Sequence, residues 1–336
     1  MPRNRPTLKT IAELTGLAVA TVSRALNNAP DISAATKVQV RKVASQIGYL
    51  PDRAGVRLRT GKTNVISLIM DQDDRIPNFA RRIIVGISKV LADTNYHLVV
   101  TPQFRDESVC TPINYILASM SADGVIFTHT RPLDERIKLL QEHNFPFTTH
   151  GRSELTTPHS YHDFDNRAFA YQAALRLVSK GRRNLALLAP PRQFTYHGHT
   201  LHGFNQALYE TGAQGKVLTE VDLDTPVTEL RDFVKTLTTK GPLPDGIVSG
   251  SELCTIALID GLKQVGLDPG TDYDMVSKQT ANILDVVSPG IDSLYEDLIF
   301  AGEKLAEHLL AQISGTDIEK TRSLSQPKPL WRSPSK

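Results

Sequence analysis

The fold of the first part of this chain is decided by the stretch Thr7-Leu-Lys-Thr-Ile-Ala-Glu-Leu-Thr-Gly-Leu-Ala-Val-Ala-Thr-Val-Ser-Arg-Ala-Leu-Asn27. The apolar residues of its first half share one helical face: Leu8, Ile11, Ala12 and Leu14. Thr7 precedes them as a candidate N-cap, and Gly16 follows them as a candidate turn residue. The first half therefore predicts a short helix that ends in a tight turn.

Two further helices follow this turn in the pattern. Residues 18–28 predict a second short helix, with Val22, Ala25 and Leu26 facing inward. Residues 33–47 predict a third, which Ser33 can cap and Gly48 can end. Two helices joined by a glycine turn and braced by a third form a helix-turn-helix, which delivers its second helix into the major groove of DNA.

The charge of the chain is divided unevenly along its length. The 336 residues carry a net charge of only +2, but residues 1–63 hold 11 Lys and Arg against three acidic residues, a net charge of +8. The remaining residues carry 27 basic and 33 acidic side chains, a net charge of −6. This asymmetry predicts a basic head that binds a polyanion and an acidic body with a different task.

The composition narrows the class of protein. Hydrophobic residues make up 40% of the chain, and no run of 18 or more apolar residues predicts a membrane span. The first residues are basic, but no apolar segment of the kind found in secretory signals follows them. Cys110 and Cys254 are too far apart for a metal-binding pair and are expected to be buried thiols. We therefore expect a soluble, cytoplasmic protein.

The quoted stretch resembles the signature of the lactose-repressor (LacI/GalR) family of bacterial transcription regulators. The resemblance continues through Gly48-Tyr-Leu-Pro-Asp52 and Leu58-Arg-Thr-Gly-Lys-Thr63, so it covers some 55 contiguous residues. It extends more loosely over residues 64–320. Membership in this family implies operator DNA and a small-molecule effector as partners.

The resemblance also implies which residues contact DNA. Val19 and Ala20 stand where the family reads base edges. Those expected to approach phosphates or bases are Thr21, Ser23, Arg24 and Asn27, and Thr7 at the start of the first helix joins this set. Arg24 is the candidate for a bidentate contact with guanine, although a contact with phosphate alone stays open. Ala18 stands where the family usually has a serine, so the second helix lacks the usual side-chain N-cap.

The segment after Pro51 resembles the family's hinge, a short helix that orders on the operator. Leu58 matches the family's leucine that is wedged into the minor groove, a role that needs a hinge from each of two chains. Gly55 stands where the family usually has alanine, which lowers the helicity expected of the free hinge. We therefore expect a homodimer on a near-palindromic operator, with a helix-turn-helix domain at residues 1–50 and a hinge at 51–63.

From Asn64 onward, short β-branched runs alternate with helical stretches of 10–15 residues. This alternation predicts an α/β body of two doubly wound, parallel-sheet lobes that resembles a periplasmic binding protein, with a ligand cleft between the lobes. We expect the body to span residues 64–322, with one lobe at 64–163 plus 291–322 and the other at 164–290. The three prolines after Gln326 argue against a helix at the end of the chain, so residues 323–336 are expected to be a flexible tail.

The motifs of common enzymes are missing from the sequence. No glycine-rich phosphate loop follows a strand, and no nucleophile elbow is recognisable. The histidine clusters at 197, 199 and 202 and at 159 and 162 with Asp163 admit a metal, but neither has the spacing of a catalytic zinc site, and loop histidines are the preferred interpretation. We expect no catalysis, no cofactor and no metal.

The looser resemblance places a set of residues around the effector. They are Asn78, Phe79, Arg152, Asp165, Thr200, Ser251, Lys278, Gln279 and Glu296. Thr200 stands where the family has an arginine, and Gln279 stands where it has an aspartate. The mixed donors and acceptors suit the hydroxyl groups of a sugar, while Lys278 and Arg152 favour an acidic sugar or a sugar derivative.

These observations predict a ligand-responsive transcriptional regulator, most simply a repressor of genes for the uptake or catabolism of a sugar or sugar derivative. Effector binding would change operator affinity through the lobes and the hinge. A solute-binding protein of a sugar transport system is the alternative, and a dinucleotide-dependent enzyme is a third hypothesis. Activation in place of repression, and a corepressor in place of an inducer, stay open.

Overall fold

The computed structural model describes residues 6–49, 57, 61–71, 79–104, 106–239 and 241–332. Its contacts divide the chain into two compact units, residues 1–63 and 64–336. This boundary is the one at which the charge of the sequence changes sign.

The first unit contains three helices, α1 (Leu8–Thr15), α2 (Val19–Leu26) and α3 (Ala34–Gln46). Thr7 caps α1 in a capping box, because its hydroxyl accepts from the backbone N–H of Thr10 while the Thr10 hydroxyl accepts from the N–H of Thr7. Gly16 ends α1 with a φ of 67°, which glycine adopts without strain. Ser33 caps α3, as the sequence predicts.

The core of the first unit lies between the three helices. Ile11, Val22 and Val40 are fully buried there. The expectation that Leu14 faces inward is wrong, because its side chain is 59% exposed. The partner helices α2 and α3 cover the side of α1 that carries Ile11 and Ala12.

The second unit is built on two six-stranded sheets, which form two lobes. The strands of the first sheet, in spatial order, are β11 (Arg322–Ser325), β5 (Tyr161–Phe164), β4 (Phe147–His150), β3 (Gly124–Phe127), β1 (Val65–Asp71) and β2 (His97–Gln103). Those of the second are β12 (Lys328–Leu330), β10 (Asp292–Tyr295), β9 (Asp274–Gln279), β8 (Gly246–Ser249), β6 (Asn184–Leu188) and β7 (Gln214–Val217). All neighbours are parallel except β12, which runs antiparallel to β10.

Helices connect the strands and cover the sheets, as parallel pairing requires. The helices that belong to the first lobe are α4 (Phe79–Leu91), α5 (Thr111–Ser119), α6 (Glu135–Glu142) and α12 (Leu298–Ile313). Those that belong to the second are α7 (Asn166–Ser179), α8 (Thr195–Thr211), α9 (Val227–Thr239), α10 (Glu252–Gln264) and α11 (Ile283–Val287). None of the helices in the described ranges is long and apolar enough to cross a membrane.

The chain passes between the two lobes after β5, after β10 and between β11 and β12. The predicted lobe boundary at residue 291 is therefore wrong, because β10 pairs with β9 in the second sheet and the crossing comes after Tyr295. The prediction of a flexible tail is wrong for residues 323–332, since β11 and β12 each add a strand to a sheet. These strands have only three or four residues, too few for a clear alternation of apolar and polar side chains.

Candidate functional site

The predicted DNA-contacting residues that the structure describes lie at the start of α1 and on or next to α2. Val19, Ala20, Arg24 and Asn27 are exposed on or next to α2, and Thr21 and Ser23 are half-buried. Thr7 is exposed at the start of α1. Ala18 makes no side-chain cap at the start of α2, as expected. Leu58, the predicted wedge residue, lies outside the described residues.

Arg24 is paired within the first unit. Its guanidinium contacts the carboxylate of Asp31, and both side chains are about half exposed. A pair this exposed contributes little to folding stability, so the guanidinium remains available to another acceptor at small cost. The contact keeps the guanidinium on the exposed side of α2.

The second unit contains a cleft between its two lobes, with about 750 Å³ of space that includes its solvent-open mouth. Clefts of this kind are where small molecules usually bind. The carboxyl ends of the parallel strands and the starts of the helices that follow them form its walls, as in other open α/β sheets. The first lobe supplies Phe79, His129, Thr130, His150, Gly151, Arg152 and Asp163. The second lobe and the crossings supply Asn166, Thr195, Tyr196, His199, Leu223, Gly250, Ser251, Glu252, Lys278, Thr280, Glu296 and Leu298.

Both cations among the described residues that line the cleft are paired with carboxylates. Lys278 Nζ lies 3.1 Å from Glu296 Oε2 and donates to Asn166 Oδ1 over 2.6 Å. Arg152 Nε lies 3.0 Å from Asp163 Oδ2. Because Glu252 adds a third carboxylate, the lining residues that the structure describes carry no excess of positive charge.

Burial and these pairs set the protonation of the cleft. Burial would raise the pKa of Glu296, but Lys278 and His150 hold it at about 2. Burial raises the pKa of Asp163 to about 6 despite the nearby Arg152. Burial lowers the pKa of His129 and of His199 to about 4, so both imidazoles are neutral at pH 7.

Several buried polar atoms of the cleft have no hydrogen-bond partner in the described part of the chain. They are His150 Nε2, Arg152 Nε, Asp163 Oδ2, His199 Nδ1 and Glu252 Oε1. The Arg152–Asp163 contact is thus a charge contact without hydrogen-bond geometry. In Glu252 the other oxygen, Oε2, accepts from the N–H and hydroxyl of Thr280 and from the N–H of Ala281. These bonds fix the carboxylate and leave Oε1 available to a ligand donor.

Direct contacts join the two lobes across the cleft. The backbone N–H and the hydroxyl of Thr195 both donate to the carbonyl of Thr130, over 2.9 and 3.1 Å. Arg82 Nη2 on α4 donates to the hydroxyl of Tyr295 over 2.9 Å. Nearby, the ring of His129 packs against Phe79 and Phe194, which supplies apolar surface to one end of the cleft.

The structure brings together five of the residues that the sequence assigned to the effector. Phe79, Arg152, Ser251, Lys278 and Glu296 all line the cleft. Their role in binding remains a prediction. Asn78 lies outside the described residues.

Asp165, Thr200 and Gln279 are not among the residues that line the cleft, and their role in effector binding stays a prediction. Asp165 caps α7 by accepting from the N–H of Ala168. The Thr200 hydroxyl donates to the carbonyl of Tyr196 within α8. Gln279 is buried and bonded to Ser293, Asp285 and Arg332. The Thr200 side chain is short and bonded within its own helix, and the Gln279 side chain is bonded to groups behind the cleft, so neither lines it.

The set of effector residues predicted from the sequence does not include His129, His150 or Glu252, which line the cleft. His150 is the last residue of β4, and His129 and Glu252 come two and three residues after the ends of β3 and β8. A search of all strand ends would have found them, because ligands of such folds bind at the carboxyl ends of the strands.

The two histidine clusters of the sequence are dispersed by the fold. His197 Nδ1 lies 2.6 Å from the carbonyl of Pro190, while His199 faces the cleft. His159 and His162 are bonded to Ser160 and Ser323, respectively. No group of three metal-ligating side chains is close enough to hold an ion within the described ranges.

Comparison with known proteins gives two family matches that together cover most of the chain. Residues 7–52 match the model "Bacterial regulatory proteins, lacI family". Residues 63–324 match "Periplasmic binding proteins and sugar binding domain of LacI family". The match of residues 7–52 to a DNA-binding family gives no support to the alternative of a transport solute-binding protein.

Curated relatives agree over nearly the full length. The HTH-type transcriptional regulator AglR of Rhizobium meliloti (strain 1021) is 30% identical over 327 residues, which cover 93% of this chain and 88% of the relative. The HTH-type transcriptional regulator CelR of Thermobifida fusca is 26% identical over 330 residues, 95% of each.

Solved structures share the fold. The transcriptional regulator CelR–cellobiose complex matches with a TM-score of 0.72 and 24% identity over 98% of this chain and 99% of that one. The lac repressor dimer bound to operator and the anti-inducer ONPF matches with a TM-score of 0.83 and 20% identity over 98% of both chains. The helix-turn-helix, the two parallel-sheet lobes and these matches lead to one conclusion. The chain belongs to the LacI family of bacterial regulatory proteins, and it is a DNA-binding transcriptional regulator with a ligand-binding domain of that family's sugar-binding type.

Proposed function

We propose that this protein is a cytoplasmic, homodimeric repressor without catalytic activity, whose effector is an uncharged sugar bound in the cleft of the second unit. The effector is proposed to bias the contacts between the lobes and so change the affinity for a near-palindromic operator. The observation that carries the choice of effector is the pairing of charges in the cleft.

An acidic sugar is disfavoured by that pairing, although Lys278 and Arg152 favour one when the sequence is considered alone. Lys278 is neutralised by Glu296 and Arg152 by Asp163, at distances near 3 Å. A carboxylate or phosphate on the ligand would have to displace a buried carboxylate or lie close to one. Like charges in such a desolvated place repel strongly, whereas an uncharged ligand leaves both pairs intact.

Sugar hydroxyl groups match the unpartnered atoms of the cleft. Glu252 Oε1 and Asp163 Oδ2 can each accept from a hydroxyl, and Arg152 Nε can donate to one. A site built to bond a hydroxyl discriminates strongly against ligands that lack it, because its buried polar atoms are then left unpaired. Phe79 and Tyr196 supply aromatic surface for the C–H faces of a sugar ring. The cellobiose complex of CelR supports a neutral disaccharide as the first probe.

An exposed apolar surface on the first lobe supports the dimer. Val99 and Val100 are about half exposed on β2, an edge strand of the first sheet, and Tyr115 and Met120 are exposed on and next to α5. A bare edge strand with apolar side chains is a surface that proteins normally cover. The operator-bound dimer of the lac repressor, which shares this fold, supports a second copy as the cover.

The effector proposal is tested by thermal shift and calorimetry on the full-length protein. The panel pairs cellobiose, maltose and glucose with their uronic acid forms, which add a carboxylate at C6. We expect a neutral sugar at 100 times its Kd to stabilise the protein by about 2.7 kcal/mol, and its uronic acid form to bind at least tenfold more weakly. Glu252→Gln should weaken the neutral sugar about tenfold or more, because it replaces a charged acceptor.

Glu229→Gln is the matched control, since Glu229 is an exposed carboxylate on α9 of the same lobe. It should leave the affinity unchanged. Tighter binding of the uronic acids than of the neutral sugars would contradict the proposal.

A further inference from the structure

The end of the chain is bound to both lobes. After β11 joins the first sheet, Gln326 Nε2 donates to Asp165 Oδ2 over 3.2 Å at the first crossing, and β12 then pairs with β10 of the second sheet. Trp331, the single tryptophan of the chain, lies with its ring 5.1 Å from the guanidinium carbon of Arg176. The residues that lead up to Arg332 are therefore held in place before that residue is reached.

Arg332 makes the densest set of contacts in this segment. Its backbone N–H donates to Asp292 Oδ1 over 2.6 Å. Its Nη1 donates to the hydroxyl of Ser293 over 2.6 Å and to the carbonyl of Ile291 over 2.9 Å. Its Nη2 donates to Gln279 Oε1 over 2.8 Å and is paired with the carboxylate of Asp285. One guanidinium thus joins β9, β10 and α11.

The groups that Arg332 holds lie directly behind the cleft. Gln279 is the last residue of β9, and its neighbour Lys278 lines the cleft. The carbonyl of Gln279 accepts from the N–H of Glu296 over 2.9 Å, and Glu296 is the partner of Lys278. Arg332 therefore contacts Gln279. The backbone of Gln279 follows Lys278 in β9 and is bonded to the backbone of Glu296, the partner of Lys278.

The bonds of Gln279 show why this role requires an arginine. Gln279 Oε1 accepts from both Ser293 Oγ and Arg332 Nη2, while its Nε2 donates to Asp285 Oδ2 over 3.2 Å. Gln279 is 1% exposed and Ser293 is fully buried, so water does not easily replace a lost donor. A planar guanidinium reaches Asp285, Gln279 and Ser293 at once, which a lysine ammonium on a flexible stem matches only in part.

We propose that Arg332 is a positioning residue for the effector cleft, which holds the ends of β9 and β10 so that Lys278 and Glu296 meet across the cleft wall. Residues 322–332 are thereby part of the structure that shapes the effector cleft. The link to effector affinity rests on the proposed function, whereas the effect on the strand ends does not.

The test uses the full-length protein with Arg332→Gln, Arg332→Lys and the matched control Arg322→Gln. Arg322 is an arginine of the same segment whose ion pair, with Glu319, lies in the first lobe. Hydrogen exchange is followed at the amides of β9 and of residues 293–298, with β1 and β3 as internal references. Trp331 fluorescence reports on the segment itself, and calorimetry with cellobiose reports on the cleft.

We expect Arg332→Gln to speed exchange of the Glu296 amide and its neighbours at least tenfold, with β1 and β3 unchanged. Arg332→Lys should restore part of this protection, and Arg322→Gln should show none of the effect. Where the wild-type protein binds cellobiose, the Kd of Arg332→Gln should rise about tenfold while the melting temperature changes little.

The proposal is overturned if Arg332→Gln changes exchange only after residue 326 while β9 and residues 293–298 exchange as in the wild type. It is also overturned if the control Arg322→Gln produces the same loss of protection. If cellobiose binds to no variant, including the wild type, the effector proposal loses its first probe, and the exchange data still decide the role of Arg332.

Discussion

At the scale of a residue, Arg24 is predicted to contact DNA and is already paired within the first unit. Its contact with Asp31 keeps the guanidinium on the exposed side of α2, and an exposed ion pair of this kind is worth at most about 1 kcal/mol. A bidentate contact with guanine is worth about 1–3 kcal/mol of discrimination. When Arg24 gives up its contact with Asp31 for a guanine, the change is therefore favourable at the matching DNA sequence and close to neutral at other sequences.

Arg24→Lys tests this role. We expect binding to the best site from a random DNA library to weaken by about 1–3 kcal/mol, because lysine cannot form the paired bonds to guanine. Binding to scrambled DNA should change little, since the charge is kept. Fluorescence anisotropy at one fixed salt concentration measures both. Arg41→Lys is the control, since Arg41 bonds to Asn28 in the same unit. Equal losses on the two DNAs would show that Arg24 contacts phosphate alone.

Predictions for single residues succeeded where the structure depends only on near neighbours in the sequence. The caps by Thr7 and Ser33 and the turn at Gly16 depend on side chains within three residues, and all are present. Gln279 does not line the cleft, because its side chain is bonded to Arg332, far along the chain. Such contacts are set by tertiary packing, which no local pattern encodes.

The packing of α4 on α12 shows at the scale of an element why two glycines are needed. A Cβ on Gly86 would lie 2.0 Å from the carbonyl oxygen of Ile299, and one on Gly302 would lie 2.3 Å from that of Ile83. The backbones of the two helices therefore touch, and this contact holds α12 on the first lobe after the chain has crossed from the second.

Gly86→Ala should destabilise the protein by about 1–3 kcal/mol, because the helices must separate to admit the methyl group. Gly198→Ala, also within a helix, should be neutral or should stabilise by up to about 1 kcal/mol, since its Cβ meets nothing within 4 Å. Urea unfolding of both variants measures the contrast. A stabilisation by Gly86→Ala would contradict the close approach.

The elements that the sequence predicted well are those with long periodic patterns. The predicted helical stretches of 10–15 residues agree with α4, α7 and α10, which have 13, 14 and 13 residues. The short strands β11 and β12, in the segment predicted to be a flexible tail, were missed. Strands of three or four residues carry no usable period, and these gain their stability from neighbours already in the sheet.

For the whole molecule, the division of charge predicted the division into units, because both change at residues 63 and 64. The basic unit provides the long-range attraction to DNA, which depends on salt. The acidic unit carries its charges in pairs around the cleft, where salt has little access. The sequence did not reveal that Lys278 and Arg152 are paired with carboxylates. This pairing is the reason why we propose an uncharged effector in place of an acidic one.

The buried histidines of the second unit make its stability depend on pH. Burial lowers the pKa of His162 to about 3, and the unfolded chain binds this proton near pH 6.5. As the pH falls below 6.5 the unfolded state therefore gains protons first, and the free energy of unfolding falls. Asp163, with a pKa raised to about 6, opposes this trend between pH 6 and 4, but His129 and His199 reinforce it. Urea unfolding should show a loss of roughly 5–6 kcal/mol between pH 7 and 4.5, of which His162 accounts for about 2–3 kcal/mol. His162→Gln, which keeps a polar partner for Ser323, should reduce that loss by about half. A free energy of unfolding that stays constant or rises over this range would mean that the imidazoles are not held neutral by burial.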